Sequence, residues 1–272
     1  MSGGDQAGSN PLKWYRLRQK IAMRESRIRP VQTVDTSRRF NHNRLSGKLH
    51  PTLADVRRRQ ADVDSRIAHA RQVLVREAIA VFGLQEHEIA RLPLPSPDAF
   101  RQHSSTLINA ALLHTIHLLS LLTSYLTVAL PYTPNFPAHP HVGRPFLRAN
   151  TPFVPSTKYR DKHVLWMSSK QNPAKHVNFC TAYGLLSHSV AYLAWIQGVE
   201  GIGVHDEGVT ISATSVLALL SAIAASSRLG VRSHEPGPLN HLGFGLDVSQ
   251  VVAAVLDADG TCEESEWDMV ER

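Results

Sequence analysis

The stretch INAALLHTIHLLSLLTSYLTVALPY, Ile108 to Tyr132, is the most apolar part of the chain. It must either cross a membrane or sit in a core, and the choice governs every other assignment. About 20 mainly apolar residues suffice for a span, so length permits crossing. Polar side chains interrupt the stretch, however, and lipid makes such groups costly. Asn109, His117, Ser120, Ser124 and Thr127 also keep the three-and-four spacing of one helical stripe. A narrow polar stripe on an otherwise apolar helix points to burial in a folded domain with one edge near water. Pro131 is expected to end the helix, because it lacks the amide hydrogen that the next turn needs.

Upstream, a different pattern stands out. Leu53, Gln60, Ile67, Leu74 and Val81 fall seven apart, and Val56, Val63 and Ala70 take the partner positions. This is close to four heptads, with Arg57, Arg58, Asp62 and Asp64 outside the seam. One helix cannot bury such a seam alone, so a coiled-coil partner is expected. The alternative is an amphipathic helix folded back on its own domain. Gln60 on the seam would set register at some cost in stability.

These two features organise the chain into five segments. Residues 1–50 form a basic, partly disordered and partly helical segment. Within it a helix is expected from Leu12 to Pro30, followed by polar, turn-rich sequence. Residues 51–83 form the coiled coil. Residues 84–100 read as a linker, because RLPLPSPDAF carries three prolines. Residues 101–246 form an α+β domain, and 247–272 a C-terminal helix with an acidic tail. In the α+β domain, PYTPNFPAHPHVGRP reads as irregular, while RPFLRANTPFV and HVLWMSS read as short strands. A long helix follows, with Asn172 as its cap, Pro173 in its first turn and Gly198 at its stop. GIGVHDEGVTIS reads as a hairpin turning at Asp206 to Gly208, and Ser212 to Ser226 as a helix. Asp247 caps the last helix, with Gln250 placed as in a capping box.

Charge is uneven. Residues 1–60 hold 14 Lys and Arg against 4 Asp and Glu, whereas 247–272 hold one Arg against 8 acids. A basic head could attract nucleic acid, anionic lipid or an acidic partner. Beyond Trp14, Tyr15 and Phe40 the head lacks the aromatics that single-strand stacking needs, so no nucleic acid partner is expected, and a basic nucleic-acid-binding protein stands as the remote alternative. Two cysteines, Cys180 and Cys262, exclude a disulfide scaffold and a four-cysteine zinc site. The opening MSGGDQAGSNPLKW has no apolar core, so a secretory signal is not expected.

No catalytic constellation is evident. His114 and His117 are spaced i, i+3 but lack the acid of an HExxH pair. GIGV and LGFGLD do not match a dinucleotide loop, and no P-loop occurs. SHS at Ser187–Ser189 lacks the glycines of a nucleophile elbow. Cys180, mid-helix beside Phe179, reads as a packing residue. No cofactor, metal or enzymatic activity is therefore expected.

The order of parts is more telling. A heptad helix precedes INAALLHTIHLLSLLTSYLTVALPY and VGRPFLRANTPFVPSTKYRDKHVLWMSS. Then come FCTAYGLLSHSVAYLAWIQGVEGIGV, GVRSHEPG and HLGFGLDVSQVV, and the chain closes with Trp267 in an acidic run. From Pro51 onward this resembles the C-terminal half of the autophagy-related protein 14 family in its fungal form. That family is shared with vacuolar sorting protein 38 and the UV radiation resistance-associated subunits. The family's cysteine-rich CxxC segment has no counterpart here. The resemblance implies a Beclin-type β-α repeat domain behind the coiled coil. It also implies a non-catalytic subunit of the class III phosphatidylinositol 3-kinase complex. The implied partners are a Beclin homologue in a parallel coiled coil, the lipid kinase catalytic and pseudokinase subunits, and a phosphoinositide-containing membrane. The seam would be Leu53, Val56, Gln60, Val63, Ile67, Leu74 and Val81. The membrane elements would be Phe244, Leu246, Val251, Val252, Val255, Leu256 and Trp267. The implied location is cytoplasmic and peripheral, on the phagophore assembly site or autophagosomal membrane, or alternatively on endosome or vacuole.

Overall fold

The computed structural model describes residues 11–137, 143–150, 159–168, 172–204, 211–233 and 243–260. It divides into two compact units, Met1–Val63 and Asp64–Arg272. Helix α1, Pro11–Val81, supplies the described part of the first unit and opens the second. It passes through Pro30 and Pro51, so the expected break and turn-rich segment at 31–50 are replaced by helix. An interior proline removes one hydrogen bond and costs about 3 kcal/mol. It does not compel a stop when the flanks form helix readily, and Gly47 is the one other helix breaker between the two prolines.

In the second unit, α3 (Pro173–Ile196) is the central element. Its residues from Phe179 to Ile196 are buried on nearly every side, as an all-apolar helix requires. Asn172 caps it, accepting from the Lys175 amide at 3.2 Å. Gly198, at φ 80°, ends it with the Val199 amide reaching back to the Ala194 carbonyl. Helices α4 (Val216–Ala225) and α5 (Val248–Ala258) pack against α3. Asp247 caps α5 as expected, accepting from the Ser249 amide at 3.1 Å. Gly184 lets α3 and α5 approach closely, for a Cβ there would lie 2.9 Å from Val252 Cα.

Helix α2, Ser105–Leu126, is long and apolar enough to cross a membrane by length and composition, and about half of it is buried in the fold. It stops at Thr127, four residues before Pro131. Thr127 takes left-handed backbone, and the Val128 amide returns to the Thr123 carbonyl. The polar stripe divides. His117, Ser120, Ser124 and Thr127 are exposed. Asn109 is buried and closes a two-way bond with the Met167 backbone, at 2.9 and 2.8 Å.

Strands β1 (Glu88–Ile89) and β2 (Leu92–Pro93) form an antiparallel hairpin beside α2. A 3-10 helix, Pro97–Gln102, follows. The stretch 84–100 is therefore part of the fold and not a linker, with Ile89, Leu94 and Phe100 buried in the core. Ala90 and Arg91 make the two-residue turn with positive φ, which is the hairpin geometry that favours Gly or Asn. Strands β3 (Tyr132–Asn135), β4 (Phe146–Ala149) and β5 (His163–Val164) form an antiparallel sheet in that order. The strands expected within RPFLRANTPFV and HVLWMSS are thus present. The segment expected to be irregular also contributes β3, where Pro134 is tolerated because the strand is at an edge. The Ser189 side chain of α3 accepts from the Tyr132 amide at 3.1 Å and ties β3 to the core. Strands β6 (Ile202–Gly203) and β7 (Ile211–Ser212) pair parallel, so they are not the arms of a hairpin. A parallel pair cannot be closed by a tight turn. The expected turn at Asp206–Gly208 lies outside the described residues.

Candidate functional site

Within the second unit, the last turns of α1 present two apolar faces. One docks. Val75 and Ala78 are buried, and Ile79 and Phe82 pack on the same core. Arg71 donates to the Gly230 carbonyl at 3.3 Å and to Thr127 Oγ1 at 2.9 Å, while Gln72 donates to the Leu229 carbonyl at 2.9 Å. Gly230, at φ 79°, admits the helix closely, since a Cβ there would meet the Ala68 carbonyl oxygen at 2.8 Å. The other face is open. Ile67, Leu74 and Val81 are 43, 45 and 81% exposed, although the same unit buries most of its large aliphatic side chains.

In the first unit, Leu53, Val56 and Val63 are about half exposed, and Gln60 is exposed too. Arg59 and Asp55 form an i, i+4 pair at 3.0 Å on the polar side. Every position of the expected seam is thus solvent-facing. A helix with a buried stripe and a separate exposed heptad stripe can hold a domain and a partner strand at once.

The expected membrane residues fall differently. Val251, Val252 and Val255 are the underside of α5 and are buried, with Val252 against Gly184 of α3. These three side chains, which the family resemblance implied as membrane elements, are covered by the core. Phe244, Leu246 and Leu256 are partly buried at its edge. Phe244 sits among His188, Tyr192 and Trp195, with ring centroids 5.3, 5.3 and 5.6 Å away. Phe244, Leu246 and Trp195 also border a shallow surface recess. Trp267 lies outside the described residues.

Ser187, His188 and Ser189 are all buried in α3. His188 Nε2 lies 3.2 Å from the Leu246 carbonyl, and burial pulls its pKa down to about 4. It is a neutral structural histidine, with no access to a substrate. His114 and His117 lie edge-on to Phe82, at 6.2 and 5.3 Å, and not on a shared ligand.

One constellation escapes sequence reading. His176 and Cys180 stand one turn apart on α3, and Asp259, at the C-terminal cap of α5, meets them. Their ligand atoms all lie within 4.8 Å of one another. His176 Nε2 is 2.7 Å from Asp259 Oδ2 and 3.7 Å from Cys180 Sγ. Arg101 of the 3-10 helix donates to the same oxygen at 3.4 Å. Burial pushes the Cys180 thiol up to about 12, and neighbouring Asp259 adds to the effect. The i, i+4 spacing of His176 and Cys180 was legible, whereas the third member lies 83 residues from His176.

With this geometry in view, comparison with known families is decisive. The family model for vacuolar sorting 38 and autophagy-related subunit 14 matches residues 12–226. The chain belongs to this family. Its members are regulatory subunits of vacuolar sorting and autophagy. The match covers both the heptad helix and the domain through α4. Comparison with curated proteins and with solved structures gives no match.

Proposed function

We propose that the chain is a non-catalytic regulatory and targeting subunit of the class III phosphatidylinositol 3-kinase complex, acting in autophagosome formation. The carrying observation is the exposed seam at Leu53, Val56, Gln60, Val63, Ile67, Leu74 and Val81 in a chain of this family. Exposed apolar heptads are costly in water and favour a second helix. Its chemistry suits a Beclin homologue in a parallel coiled coil, through which the lipid kinase catalytic and pseudokinase subunits are recruited. Polar Gln60 on the seam favours one register and a specified partner over a strong homodimer. The domain behind the seam is assigned as a Beclin-type β-α repeat domain. Support comes from its short antiparallel sheet, which packs on a central apolar helix.

Peripheral docking on phosphoinositide-containing membrane completes the reading. Among the expected membrane residues, Phe244, Leu246 and Leu256 are the partly exposed members. Val251, Val252 and Val255 reach a bilayer only if α5 leaves α3. The neighbouring acids of α5 would oppose an anionic surface. The family's description supports a second address, an endosomal or vacuolar-sorting subunit of the same kinase complex.

Capture of the full chain from cell lysate, followed by mass spectrometry, tests the assignment. Beclin and the lipid kinase subunits are expected in the eluate. Their absence from a folded, soluble bait would refute it. Co-localisation with an autophagosome marker or an endosome marker decides between the two addresses.

A further inference from the structure

We infer that His176, Cys180 and Asp259 form a binding site for a borderline-soft divalent transition ion, Zn2+ by chemistry, which fastens the end of α5 to α3. The inference stands apart from the assignment as a kinase-complex subunit.

The donor set is one nitrogen, one sulfur and one carboxylate oxygen, gathered within 4.8 Å. Tetrahedral zinc takes this mixture, with water commonly filling a fourth position beside three protein ligands. A thiolate ligand disfavours Ca2+ and Mg2+, which take oxygen. His176 and Cys180 share a helix face at i, i+4, so their spacing is fixed by α3 itself. Asp259 arrives from the cap of α5, whose buried face packs on the same helix. The site therefore exists only when the two helices are docked, and metal affinity becomes docking energy.

The hydrogen bonds present leave this group incomplete. The Asp259 side chain is fully buried. Its Oδ2 is shared between His176 and a long contact to Arg101, and Oδ1 has no hydrogen-bond partner among the described residues. A buried carboxylate oxygen left in that state is costly, and natural folds seldom keep one without an ion or water. Cys180 adds a thiol that is protonated at neutral pH without an ion. Zn2+ displaces the thiol proton into solvent, while His176 binds through Nε2 as the neutral imidazole and keeps its one ring proton on Nδ1. Two negative ligands then balance the ion's charge, so the buried group becomes neutral while Arg101 stays beside the carboxylate. His176 is the partly exposed member, at 18% of its side chain, and gives the ion a path inward.

Cobalt substitution on the full chain tests this directly. Addition of Co2+ to metal-free protein is expected to give a thiolate-to-cobalt band in the near ultraviolet and tetrahedral bands in the visible, at one ion per chain. Cys180→Ser should abolish the thiolate band, and Cys262→Ser should leave it intact. Zn2+ at a hundredfold excess over its dissociation constant should lower the unfolding constant about 100-fold in the wild type. The effect should be lost in Cys180→Ser and in the size-conserving Asp259→Asn. Each variant is scored only where its far-ultraviolet spectrum matches the wild type, and His176→Gln provides a further ligand deletion. No cobalt bands in the folded wild type, or bands that survive Cys180→Ser, would overturn the site. So would Zn2+ stabilisation that persists in all three ligand variants. Since no partner is involved, failure here leaves the complex assignment untouched.

Discussion

Helix α3 and the last turns of α1 are both rich in apolar residues, yet they use them in opposite ways. In α3, Phe179 to Ile196 find partners within the chain on almost every side. In α1, Val75, Ala78 and Ile79 pack on the core, while Ile67, Leu74 and Val81 stay exposed among the described residues. Apolar sequence in α3 is explained by the fold itself. The second apolar stripe of α1 is not covered by the described residues, which is why we propose a partner helix for it. The helix-folded-back and coiled-coil readings of this segment are compatible, because each takes a different face.

The sharpest way to break this contrast is a charge on each kind of face. Val252→Asp, on the buried side of α5, should cost about 4 kcal/mol or more through an unpaired buried charge, and should unfold the domain. Urea titration with a midpoint close to the wild type would contradict the packing of α5 on α3.

A pH titration probes the same interface. Burial holds His188 near pKa 4 in the fold, against 6.5 in the free side chain. As pH falls, the unfolded chain takes up the proton first. The stabilisation is therefore fully present above about pH 6.5 and is lost progressively toward pH 4, by roughly 3 kcal/mol in total. Stability measured across this window should show the slope, and His188→Gln should reduce it. Equal slopes in both proteins would remove His188 from the buried set.

Gly184→Ala sharpens the contrast at the scale of one methyl group. Its Cβ would press on the Val252 backbone. Overpacking costs about 1–3 kcal/mol, and the better helix propensity of Ala offsets about 1. A net loss of about 1 kcal/mol is expected by calorimetry, and a gain would show that the helices are not this close.

Much of this was legible in the sequence for local reasons. Asn172 and Asp247 cap their helices because short oxygen-bearing side chains satisfy free amides. The central helix and two of the sheet strands follow from apolar runs between breakers. What escaped was nonlocal. Ala90 and Arg91 are not residues that announce a left-handed hairpin turn. Thr127 stops α2 in left-handed backbone, held by Arg71 from 56 residues away. The stripe at Val251, Val252 and Val255 told that one face of α5 is covered, but could not tell whether by lipid or by α3. The heptad spacing of the proposed seam was readable because a repeat is local. The meeting of Asp259 with His176 and Cys180 was not, because it depends on how α5 docks.

The most direct measurement combines binding and stability on one variant, Ile67→Asp with Leu74→Asp. Both side chains are exposed, so thermal unfolding of the isolated chain should stay within about 0.5 kcal/mol of the wild type. Co-purification of the Beclin homologue should be abolished. Retention of that partner by the folded double variant would contradict the account.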